Sequence, residues 1–111
     1  MIGRYILNAN GDPEPCDDLM EWGTWIGRAD RHLARDIIDG VTVSTVFLGL
    51  DHAFGDATPI LWETMIFGGP HDEYQERYST RADALAGHER AKALVSQARS
   101  SASSSSTDRT T

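Results

Sequence analysis

The chain has one cysteine, Cys16, so no internal disulfide can form. That excludes a small disulfide-stapled scaffold and fits a reducing compartment. Long hydrophobic runs are missing too: none approaches the ~20 residues of a membrane-spanning helix. The opening MIGRYILNANG lacks the apolar core and cleavage pattern of a signal peptide. A cytoplasmic protein with no membrane association is therefore expected. Basic charge is scarce, with ten Lys and Arg against 17 Asp and Glu and a formal net charge of −7. The acids are spread along the chain, which argues against phosphate-backbone binding, since that needs a basic face. No nucleic-acid partner is expected. The balance favours solubility and, for any partner, a basic one. Catalytic motifs are lacking as well. There is no Ser-centred elbow, phosphate loop, paired-cysteine motif or dinucleotide fingerprint, so no cofactor and no nucleophile are assigned.

What the sequence does have is concentrated in Val41–Gly69, VTVSTVFLGLDHAFGDATPILWETMIFGG. Two runs, VTVSTVFLGL and PILWETMIF, carry the β-branched and aromatic residues that suit a pleated, half-buried surface. Alternation puts Val43, Thr45 and Phe47 on one face of the first run, and Ile60, Trp62, Thr64 and Ile66 on one face of the second. Near-continuous apolar character predicts central strands. The segment joining them, Asp51–Pro59, is longer than a tight turn and has room to carry function.

Around this centre the other elements follow. Tyr5–Leu7 reads as a short strand and NANGDPEP as turn-forming. Asp18 with Glu21 three residues on resembles a capping box, and predicts a helix over Asp17–Gly27 with Leu19, Trp22 and Ile26 inward, Trp25 at the edge and Gly27 as its stop. Arg28–Gly40 reads either as a helix or as a strand over His32–Ile38 with an Asp39-Gly40 turn; the strand and hairpin are preferred. Glu73–Tyr78 alternates weakly, as an edge strand would. Thr80 caps a C-terminal helix over Arg81–Ala98, with Ala84, Leu85, Ala91, Leu94, Val95 and Ala98 as its stripe. The expected fold is α+β: an antiparallel sheet of about four strands packed against the C-terminal helix, with a short N-terminal helix. Residues 1–99 form the single expected domain. Ser100–Thr111, SSASSSSTDRTT, has no apolar residue larger than alanine and is expected to be disordered.

Four stretches, PCDDLMEW, VSTVFLGLDHAFG, LWETMIFGG and RYSTRADALAGHERA, resemble a family of short uncharacterised proteins from bacteriophages and phage-derived regions of bacterial genomes. The resemblance implies a mobile-element context. It carries over no catalytic or binding residue.

For a site, the loop and the strand after it offer Asp51, His52, Phe54, Asp56 and Glu63. Carboxylates with an imidazole are suited to a divalent metal or to acid–base work. Yet the spacing matches no ligand pattern, so no metal is assigned. Asp51 and Asp56 serve equally well as turn-shaping residues, with His52 as a half-buried packing residue. Phe54 either plugs the core or stands out as a contact. His71 falls at the far end of the hairpin from His52. The aromatics Trp22, Trp25, Trp62, Phe47 and Phe67 read as core. His88, beside Gly87, reads as a satisfied boundary histidine. The function expected is that of a small acidic non-enzymatic accessory protein of a phage or mobile element, acting by binding a host protein. The alternative is a small-molecule or metal site, in a hydrolase or a ligand-sequestering protein, built on the Asp51–Pro59 loop.

Overall fold

The computed structural model describes residues 3–53 and 58–110, with side chains as far as Gln97. The chain order is β1 (Tyr5–Leu7), β2 (Pro13–Pro15), α1 (Leu19–Arg28), β3 (His32–Ile38), β4 (Val41–Phe47), β5 (Trp62–Phe67), β6 (Gln75–Tyr78) and α2 (Arg81–Thr110). Strands β3-β4-β5-β6 form one antiparallel sheet in sequence order, and β1 and β2 form a separate two-stranded ribbon. The fold is α+β, with the C-terminal helix on the four-stranded sheet and a short N-terminal helix. Among the described residues no helix is long and apolar enough to cross a membrane.

Arg28–Gly40 resolves as strand and hairpin. Asp39 and Gly40 both take positive φ, 52° and 83°, the left-handed pair that matches the twist of a two-residue β-turn. Register follows from that turn: Ile38 pairs with Val41 and Asp36 with Val43. Asp18 caps α1, its side chain accepting from the backbone N–H of Met20 and Glu21, as the Asp-x-x-Glu spacing predicts. Three expectations are corrected. The turn-rich NANGDPEP holds a strand, because Pro13–Pro15 pairs back on Tyr5–Leu7. Leu19 is exposed, not inward; Trp22 and Ile26 make the contact instead, at Gly49. The Trp22 indole donates to the Gly49 carbonyl at 3.0 Å. A side-chain carbon on Gly49 would come within 2.6 Å of Ile26. Gly27 does not stop α1, which ends one residue later.

Helix α2 lies on one face of the four-stranded sheet, whereas α1 packs by strand β1 and reaches that face through Trp25 on Phe47. Pairing places Val43, Thr45 and Phe47 of β4 beside Ile66, Thr64 and Trp62 of β5 on that face. The apolar members separate into two clusters. Phe47, Leu61, Trp62, Tyr78 and Ala84 pack with Tyr5, Leu7, Trp25 and Leu33 at the end near α1. Val43, Ile66, Ala91 and Val95 pack with Ile38, Val41 and Tyr74 at the hairpin end. The inward stripe of α2 is Ala84, His88, Ala91 and Val95. Leu85, expected inward, is exposed, because it lies about 100° round the helix from Ala84.

Helix α2 continues past its expected end at Ala98 to Thr110. Ser100–Thr111 is also expected to be dispensable for folding. A chain ending at Arg99 should melt within about 2 °C of the full chain, since a stretch so poor in apolar side chains has little to bury. A clearly lower melting temperature would show that the stretch docks.

Candidate functional site

The sequence-derived candidates do not converge. Asp51 braces its loop: its carboxylate accepts from the backbone N–H of Ala53 at 2.8 Å and of Ile60 at 3.0 Å. That is the turn-shaping role. His52 is exposed and therefore does not pack; its backbone N–H donates to the Ile60 carbonyl. Phe54 and Asp56 lie outside the described residues. Glu63 is buried, and its carboxylate accepts from the Arg77 guanidinium at 2.8 Å and from the Gln75 amide. His52 sits opposite Ile60, three residues and roughly 10 Å of strand from Glu63. Glu63 also points away from the helices, since it shares a face with its pair partner Arg77 and not with Trp62 and Thr64. Among the described residues no group of three or more His, Cys, Asp or Glu could hold a metal ion.

A different constellation comes together between α2 and the sheet. His88 Nε2 lies 2.6 Å from a carboxylate oxygen of Asp36, and His88 Nδ1 lies 2.7 Å from the Thr45 hydroxyl. The Thr45 hydroxyl meets that of Thr64 at 2.5 Å. An ionised carboxylate can only accept, so His88 donates from Nε2–H. In that tautomer Nδ1 accepts the Thr45 hydroxyl, and Thr45 in turn accepts from Thr64. The order carboxylate, imidazole, hydroxyl is that of a hydrolytic triad. Its surroundings are not. Thr45 and Thr64 are 0% exposed and His88 2%, with an apolar cluster on each side. No substrate reaches the hydroxyl while α2 is in place, and moving α2 takes the histidine away with it. The chain of bonds instead satisfies three buried polar side chains and ties α2 to β3, β4 and β5.

The hydrogen bond from His88 holds the Asp36 carboxyl below the ordinary carboxylate range, against some desolvation and with help from nearby Lys92. The sign for stability follows. A carboxyl with a depressed folded-state pKa stabilises the fold above its unfolded pKa of about 4 and loses that contribution as pH falls through the folded value. Glu76 behaves alike, held down by the Tyr74 hydroxyl and by Arg90. Melting temperature should therefore fall as pH drops below about 4, and Asp36→Asn should flatten that dependence. An unchanged acid slope in Asp36→Asn would remove Asp36 from the account.

Sequence reasoning assigned His88 to the boundary and did not single out Asp36, Thr45 or Thr64 for chemistry. A signal was available for the histidine: Ala84, His88, Ala91 and Val95 follow helical spacing. Gly87 admits the Tyr78 ring. Cys16 is buried; burial pushes its thiol pKa up and the Glu21 carboxylate adds to this, which suits an unreactive thiol. Comparison of the chain with protein-family models, with curated proteins and with solved structures gives no match.

Proposed function

We propose that this chain is a small non-enzymatic accessory protein of a phage or mobile element, acting in the cytoplasm by binding a host protein. The observation that carries the reading is where the chemistry lies. In the one set of described side chains in triad order, Asp36, His88 and Thr45, the imidazole and the hydroxyl are sealed between helix and sheet, and only the carboxylate reaches solvent. Large apolar side chains, Leu19, Met20, Ile37 and Phe67, stand on the outside, where they favour contact with another molecule. The mobile-element context rests on the sequence resemblance. The loop alternative has less in its favour, because Asp51 braces the backbone and Glu63 is held by Arg77 and Gln75. The test is capture from a bacterial lysate on the immobilised full chain over a range of salt concentrations. A specific host protein retained in stoichiometric amount is expected. No specific partner at any salt would sink the proposal.

A further inference from the structure

Helix α1 is amphipathic, yet none of its ten residues is buried. Its outer side carries an open groove of about 590 Å³ lined by Met20, Glu21, Thr24, Trp25, Arg28 and Ala29. These positions are two adjacent i, i+4, i+8 rows, so the groove runs the length of the helix. Met20 is 78% exposed and neighbouring Leu19 60%. Trp25 is half-buried and stands edge-on to core Phe47, with ring centroids 5.8 Å apart. It is thus fixed from behind while it contributes to the groove in front. A flexible thioether beside an anchored indole is a pairing that adapts to an apolar side chain and grips it.

Charge identifies the occupant. At the N-terminal end of α1 stand three carboxylates, Asp17, Asp18 and Glu21, with the Arg4 guanidinium donating to the Asp17 carbonyl. Glu21 lines the groove itself, and Asp17 and Asp18 stand just before the helix. The groove's one cation, Arg28, is at the opposite end. An acidic partner would meet like charge at the Glu21 end of the groove, whereas a basic one gains attraction there and a faster encounter.

We propose that the outer side of α1 is a docking groove for a basic amphipathic segment of a partner protein: an apolar side chain seated on Met20 and Trp25, with lysines or arginines beside Glu21. This rests on the binding-protein reading and names the surface that would serve it.

The probe is a synthetic amphipathic helical peptide of leucine and lysine, titrated into the full chain. A leucine–glutamate peptide of the same pattern and a serine–lysine peptide of the same charge are the controls. Amide shifts confined to α1 and its flanks are expected with the first peptide only. Met20→Ser and Glu21→Gln, both at exposed positions, should keep the melting temperature and weaken binding by about tenfold each, which is ~1.4 kcal/mol. Equal binding of the serine–lysine peptide would reduce the site to bare charge and overturn the proposal. So would shifts on another face, or variants that bind as tightly as the parent chain. A lysate partner held equally well by the parent and by Met20→Ser would overturn this surface and leave the binding function standing. A parent chain that captures nothing would instead overturn the function.

Discussion

Trp62→Ala should destabilise the fold by about 3–5 kcal/mol, the range for deleting a buried aromatic ring from a packed core. Trp62 is 1% exposed. It lies mid-sheet, paired with Phe47 on one side and Tyr78 on the other, and its ring centroid is 5.0 Å from that of Phe47. Neighbours tied into strands cannot collapse into the vacated space, so the cavity term adds to the lost transfer energy. For a domain this small that is a large share of total stability. His52→Ala, at an exposed loop position, should cost under ~1 kcal/mol. Denaturant melts of both variants at constant m-value check the pair. A harmless Trp62→Ala with a severe His52→Ala would exchange their roles, making Trp62 the contact residue and His52 part of the core.

The second large effect belongs to the polar layer. His88→Leu keeps much of the volume but removes the acceptor of the Thr45 hydroxyl and the donor to Asp36. Thr45 is fully buried, so its hydroxyl proton loses its acceptor and only the contact with the Thr64 hydroxyl remains; with the bond to Asp36 gone as well, the cost should reach about 2–4 kcal/mol. Thr45→Val should cost a comparable amount, because it strands both neighbours, the buried Thr64 hydroxyl and His88 Nδ1. The double variant, His88→Leu with Thr45→Val, should be milder than the sum by at least ~1 kcal/mol, since both single variants break the same Thr45–His88 bond. Adding Thr64→Val should recover more stability still, because an apolar layer leaves no buried hydroxyl unpaired. Strict additivity in denaturant melts would mean that the hydrogen bonds are not coupled and that the histidine acts by packing alone.

Much of the architecture was legible because local chemistry and global pairing agree. Asp39-Gly40 before a Val/Thr run demands a hairpin, and the hairpin sets the register of β3 on β4. Asp18 and Glu21 mark the start of α1. The alternation in β4 and β5 identifies the face that carries Val43, Phe47, Trp62 and Ile66. The polar layer was hidden for a reason of the same kind. Thr is a good strand residue in its own right, so Thr45 and Thr64 read as β-formers, and only the sheet register reveals that their hydroxyls meet. Asp36 is worse placed for the reader: it is 52 residues from His88 in sequence, and no local pattern links them. The loop misled because carboxylate and imidazole side by side look like chemistry, whereas Asp51 is occupied by two backbone N–H groups. The outer side of α1 is hidden in the sequence because Leu19 fits the inward face by helical spacing, although it is exposed.

One packing detail constrains how the molecule can move. Gly87 sits on the Tyr78 ring so closely that a methyl group there would overlap the phenol. The residues one turn away on the same side are Asp83, Ala84, Arg90 and Ala91, and every one of them has a side chain. Sliding α2 by a turn in either direction would drive one of those side chains into the ring, and rotating it would do the same. The glycine therefore acts as a keyhole that admits the phenol at a single axial setting. A piston or ratchet stroke of the long helix is closed to this protein.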